Sequence, residues 1–143
     1  MKRFIAVALL SCITHAALAA PVTLNFTNTG RQAGKIQIAV FNDARYFPDN
    51  SRGIIKKAEL VVTRNQTVAS TTIDLPEGDY AVSVFLDENN NKKLDTNFMG
   101  IPKERFGFSK NPTVRFGAPS FSQCEVRVED AGANFSINLK KFL

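Results

Sequence analysis

From residue 22 onward the apolar residues of this chain recur at every second position, and no stretch of ten or more residues keeps a helical period. A period of two places alternate side chains on opposite faces of a strand, so this alternation restricts the chain to an all-β fold. Val22, Leu24 and Phe26 alternate with polar residues, and Ile36, Ile38 and Val40 share one face of residues 35–42. Residues 58–63 and 67–75 read as two further strands split by Arg64-Asn65-Gln66. Across residues 79–87, Tyr80, Val82, Val84 and Leu86 lie on one side, with Ala81 and Phe85 on the other. Residues 123–129 and 134–140 carry Cys124, Val126 and Val128, then Phe135, Ile137 and Leu139. That makes about seven short strands, rich in β-branched and aromatic residues, and predicts a two-sheet antiparallel sandwich. Leu75-Pro76-Glu77-Gly78 reads as a tight turn, and the one helical candidate is a turn near residues 52–57.

The start of the chain has a different character. Lys2 and Arg3 precede an apolar run over residues 4–10, and Ala17-Leu18-Ala19 forms an A-x-A pattern just before Pro21. This order predicts a secretory signal peptide over residues 1–19, cut after Ala19, followed by a single domain over residues 20–143. The apolar run is shorter than the roughly 20 residues needed to span a bilayer. No later segment reads as a membrane helix, so the expected location is periplasmic or secreted. A rival pattern, Leu9-Leu10-Ser11-Cys12, would make Cys12 a lipidated residue, but Leu10 fits that signal poorly and the leader would be very short.

Removing the leader narrows the chemistry. The formal charge of +5 on 143 residues falls to +3, because Lys2 and Arg3 leave. His15 is the one histidine and leaves too, so the mature chain has no histidine, no tryptophan and one cysteine, Cys124. A Ser-His-Asp triad, a Cys-His dyad and a histidine-bound zinc are therefore excluded, as is an intrachain disulfide. Cys124 falls among alternating valines and reads as a buried, inert thiol. The basic residues occur as scattered singles and pairs, without the stripe or motif that marks nucleic-acid binding. Residues 100–119 hold three glycines, three prolines, Phe106, Phe108 and Phe116, and are expected to pack as an excursion over an edge of the sandwich. A monomer is expected.

The most informative stretch is Asp87-Glu88-Asn89-Asn90-Asn91-Lys92-Lys93-Leu94-Asp95. Side-chain oxygens fall at positions 1, 3, 5 and 9, on Asp87, Asn89, Asn91 and Asp95. Calcium takes six to eight hard oxygen ligands, and a coiling loop with this spacing turns alternate side chains inward. Lys93 would add its backbone carbonyl, and Glu104 could close the shell with a bidentate carboxylate. Position 6, where calcium loops place Gly for a sharp bend, is Lys92, so Asn90 or Asn91 is expected to supply the bend. With two lysines in the loop, any affinity should be modest, on the order of 10⁻⁴–10⁻³ M.

Around this loop the order of motifs becomes specific. Leu75-Pro76-Glu77-Gly78-Asp79-Tyr80-Ala81-Val82 is followed by the Asp87 loop, then Gly100-Ile101-Pro102-Lys103-Glu104, then Gly107-Phe108-Ser109. In this order and spacing the chain resembles a family of exported bacterial proteins catalogued as domain of unknown function 2141. The resemblance implies an Ig-like or transthyretin-like sandwich and an exported location, without an established activity. Family members commonly carry Gly where this chain has Lys92.

Three functions follow as expectations. The first is an exported, non-enzymatic binding or structural module with a calcium-stabilised loop. The second is a small envelope hydrolase or carbohydrate-active protein using Asp95 or Glu104. The third is a module recognising an envelope glycan or partner protein through Arg105, Phe106 and Phe108.

Overall fold

The alternating residues of the sequence become the inner faces of two sheets. The computed structural model describes residues 17–142. Its strands are β1 (Ala19–Thr27), β2 (Gly34–Phe41), β3 (Ile54–Val62), β4 (Val68–Pro76), β5 (Gly78–Asp87), β6 (Phe106–Phe108), β7 (Val126–Val128) and β8 (Ala133–Asn138). A single helical turn, α1 (Phe121–Cys124), precedes β7. One sheet runs β4-β1-β8, and the other β3-β2-β5-β6 with β7 also paired to β5. Between them lie Val22, Leu24 and Phe26 of β1, Ile36, Ile38 and Val40 of β2, and Val82, Val84 and Leu86 of β5, all buried. Burial of each such side chain contributes roughly 1.5–3 kcal/mol, which makes this layer the main source of stability.

The chain passes from the first sheet to the second at Pro76, Glu77 and Gly78. Proline ends β4 because it has no N–H for the ladder, and β5 begins two residues later. The buried Tyr80 donates from its hydroxyl to the carbonyl oxygen of Pro76 at 2.8 Å, tying the start of β5 back to the end of β4. This is the arrangement of a tyrosine corner, in which a strand-start tyrosine bonds to backbone a few residues upstream. The predicted tight turn is thus a corner between sheets.

At the other margin the sheets meet through backbone. Phe106 and Lys140 exchange N–H···O bonds of 2.9 and 2.8 Å, joining β6 to the segment that follows β8. Gly107 permits this approach, since a Cβ there would lie 2.8 Å from Cγ2 of Ile137.

Several sequence expectations are corrected here. The described residues hold eight strands, because β6 lies inside the Gly/Pro-rich segment as a three-residue strand too short to show alternation. β1 pairs with β4 in antiparallel register but with β8 in parallel, so the sandwich is mixed at that position. The helical candidate at 52–57 is a 3₁₀ turn over Ser51–Gly53, capped by the Asn50 side chain, while Ile54 to Lys57 already belong to β3. Cys124 ends α1, just before β7, in place of the expected strand position. Ser120 and Gln123 cap that turn reciprocally through a capping box. The predicted leader over residues 1–19 and the Cys12 alternative lie almost wholly outside the described residues. Among these residues no helix is long and apolar enough to cross a membrane.

Candidate functional site: the loop from Asp87 to Glu104

β5 ends at Asp87, whose side chain points inward and is 1% exposed. Its two carboxylate oxygens accept from the backbone N–H groups of Asn91, at 3.2 Å, and Lys92, at 2.9 Å. The chain therefore coils around the carboxylate that terminates the strand. The coil needs left-handed residues, and Asn90 (φ 58°) and Lys92 (φ 61°) supply them. The bend thus falls on Asn90, as one of the two expected candidates, and on Lys92 itself, at the position where a glycine would fit with less strain.

Asn89 and Asn91 both turn toward Asp95. The Asn89 amide nitrogen donates to Asp95 Oδ2 at 2.6 Å, and that of Asn91 to both Asp95 oxygens at 2.9 and 3.0 Å. Their own oxygens stay within the loop: Asn89 Oδ1 accepts from Asn91 N–H and Asn91 Oδ1 from Lys93 N–H. Lys93 is exposed, and its N–H makes that one contact to Asn91.

Glu104 joins the two ends of the coil. It is 5% exposed, and its oxygens accept from Glu88 N–H at 3.0 Å and Asp95 N–H at 3.1 Å. The Lys103 N–H to Asp95 carbonyl bond, 2.8 Å, continues the pairing. Burial pushes the Glu104 carboxyl above the usual carboxylate range, against the pull of those two N–H bonds, with Asp95 and Asp87 adding to the rise. Asp87, Asn89, Asn91, Asp95 and Glu104 are therefore brought together in one hydrogen-bonded loop. Among the described residues, no three His, Cys, Asp or Glu side chains converge as a metal cluster, and the contacts that knit this loop run through amides.

Beyond Asp95 the chain makes a second, narrower excursion. The Asn97 side chain accepts from Met99 N–H at 2.9 Å and Ile101 N–H at 3.0 Å, which fixes the tip. That tip presents Phe98, 96% exposed, and Met99.

The aromatic residues of the next segment divide. Phe106 is buried and, with Phe108, joins an edge-to-face cluster that includes Phe47, Phe41 and Phe121. A recognition role for Phe106 is thus replaced by packing, while Phe116 stands fully in solvent. Ser109 entered the sequence reading only as the end of the Gly107-Phe108-Ser109 motif, without a role; it is fully buried, and its Oγ accepts from Val82 N–H at 2.9 Å and donates to the Cys124 carbonyl at 2.5 Å. A serine directly after Phe106-Gly107-Phe108 was the available signal. Cys124 is buried, and burial raises its thiol to about 11, which suits an inert packing role.

No match to the chain occurs among curated proteins or solved structures. A family model does match, over residues 24–136, a span that runs from β1 into β8 and contains the whole Asp87 to Glu104 loop. The chain belongs to that family, described as uncharacterized protein conserved in bacteria (DUF2141).

Proposed function

We propose that this protein is an exported, non-catalytic β-sandwich module, periplasmic or secreted, whose Asp87 to Glu104 loop takes up calcium. The observation that carries the reading is the convergence of the Asn89 and Asn91 amides on Asp95, above the buried Asp87 carboxylate. Two amide N–H₂ groups stand against a carboxylate, which is the electrostatic role a cation would take. The donor chemistry fits a hard cation: carboxylate oxygens on Asp87 and Asp95, amide oxygens on Asn89 and Asn91, and the Lys93 carbonyl would hold it. Glu104, whose oxygens accept from Glu88 and Asp95 N–H as those of Asp87 accept from Asn91 and Lys92 N–H, staples the ends of the loop and would close the shell with its remaining lone pairs. Once bound, the ion would neutralise the Asp87–Asp95 pair and stiffen the loop that carries the exposed Phe98 and Met99 toward an envelope glycan or protein.

Hydrolysis by Asp95 or Glu104 is less well supported. A general acid needs contact with its substrate. Here Glu104 is buried with both oxygens engaged, and Asp95 is held by two amides.

Titration calorimetry of EDTA-treated protein tests the calcium reading. At a free calcium level ten times the dissociation constant, binding to the folded state alone adds about 1.4 kcal/mol of stability. The expected result is a heat of binding in the 10⁻⁴–10⁻³ M range that disappears in Asp95→Asn, with a rise in melting temperature. Absence of both heat and thermal shift at millimolar calcium overturns it.

A further inference from the structure

Beside the loop lies a cleft that the calcium reading does not use. It has a volume of about 420 Å³ and is lined by Asn28, Arg31, Thr67, Glu88, Arg105 and Lys141, among others. Three cations from distant parts of the chain meet there: Arg31 from the β1–β2 connection, Arg105 from just before β6, and Lys141 from beyond β8. Glu88 is the one acidic group in the lining. Among the described residues none of these four charged side chains forms an ion pair within 4.0 Å, although Arg127, Arg45 and Lys35 all do.

Arg105 is the built element of the cleft. It is partly buried, and the end of its side chain packs close against Gly30. A Cβ on Gly30 would come within 2.5 Å of Arg105 Nε, and Gly30 also has φ +86°, so any other residue would both strain the backbone and displace the arginine. The cation is thus seated against backbone, with Asn28 and Thr67 as neutral residues of the lining.

We propose that this cleft binds a phosphate-bearing ligand, with Arg105 as the central contact and Arg31 and Lys141 at the rim. Guanidinium groups bind phosphate oxygens in bidentate fashion, and a lysine adds a point charge that needs no fixed geometry. The volume falls within the range of small-molecule sites and would admit a sugar phosphate. Glu88 opposes the anion and restrains affinity, which makes its removal a diagnostic. The three cations lie outside the loop's donor set, so anion binding can be measured with calcium removed.

The test is titration calorimetry in EDTA, so that its outcome is separate from calcium binding. The probes are inorganic phosphate, glucose 6-phosphate, glucose, and phosphatidylcholine vesicles with or without phosphatidic acid. Binding of glucose 6-phosphate but not glucose is expected, weakened roughly tenfold in Arg105→Gln and in the solvent-exposed Arg31→Gln, and strengthened in Glu88→Gln. Selective binding to the phosphatidic acid vesicles, lost in the same two variants, would also support the proposal and identify the phosphate as a lipid headgroup. Arg31→Gln protects the test if Arg105→Gln fails to fold. The proposal is overturned if no phosphate probe binds at millimolar concentration. It is equally overturned if Arg31→Gln and Glu88→Gln both bind like the parent protein.

Discussion

Replacing Tyr80 by Phe isolates a single interaction at the corner between the sheets. The ring fills the same space in both residues, so no cavity forms, and the change removes one hydroxyl that donates to Pro76 O at 2.8 Å. A hydrogen bond of this kind contributes roughly 0.5–1.5 kcal/mol net. Pro76 is exposed, so water can replace the lost donor and the cost should stay near about 1 kcal/mol. For a domain of this length that corresponds to a fall of roughly 4 °C in melting temperature, measurable by circular dichroism at pH 7. The alkaline limb provides a second reading. Burial pushes the Tyr80 phenol above its ordinary value of 10.0, with Asp79 adding to the rise and Arg127 opposing it. The folded protein then keeps this proton at pH values where the unfolded chain has lost it. The phenol's contribution is complete below the unfolded value and declines as pH rises from there through the folded value. Tyr80→Phe cannot titrate, so the stability gap between it and the parent should narrow above about pH 10. A variant with unchanged melting temperature and an unchanged alkaline limb refutes the corner bond. A loss above roughly 3 kcal/mol would show that the ring had moved, since that exceeds what one hydroxyl supplies.

Other substitutions read other parts of the molecule. Gly107→Ala places a Cβ 2.8 Å from Ile137 Cγ2 and should cost about 1–3 kcal/mol in urea unfolding, through overpacking where β6 meets the chain around β8. Cys124, buried with its thiol raised to about 11, should react with a disulfide reagent at pH 8 only as fast as the protein opens, and rapidly in denaturant. Phe98→Ser should leave thermal stability within about 0.5 kcal/mol, since the ring is 96% exposed. A larger loss would mean that the tip packs on the loop beneath it.

The sandwich was legible wherever a strand buries one face. β1, β2 and β5 alternate cleanly because their inner residues fill the space between the sheets, and the corner showed as Pro-Glu-Gly ahead of Tyr80. The start of β3 was hidden because Ile54-Ile55-Lys56-Lys57 lies on an edge, where outward apolar residues break the alternation. β6 was hidden because only three residues pair and one of them is glycine. The spacing of Cys124 from Val126 continues the strand period, whereas the capping box of Ser120 and Gln123 imposes a helical turn first. In the loop, spacing singled out Asp87, Asn89, Asn91 and Asp95, which share one network, although the asparagines meet Asp95 through their amide nitrogens while their oxygens turn to backbone N–H groups. The staple role of Glu104 and the left-handed Lys92 were not legible, because both depend on backbone N–H directions that residue types do not encode. The cleft at Arg105 was invisible for a different reason: its three cations come from segments that only the closed sandwich brings together.

The parallel pairing of β1 with β8 also dictates an order of assembly. Thr23 of β1 meets Thr72 of β4 across 49 residues, but Thr27 meets Asn138 of β8 across 111. Doubling a loop adds only about 0.6 kcal/mol of closure entropy, so the finished sheet is hardly weakened by the distance. The effect is on time, because long-range pairings slow the search for the native state. β1 is among the first strands of the domain to be synthesised, and its central place in the sheet is completed only when β8 exists. Until then one side of β1 is an open edge, available to another chain. A truncation before residue 133 would therefore do more than shorten the sheet: it would leave β1 with a permanent edge and make the protein prone to pair with its own copies.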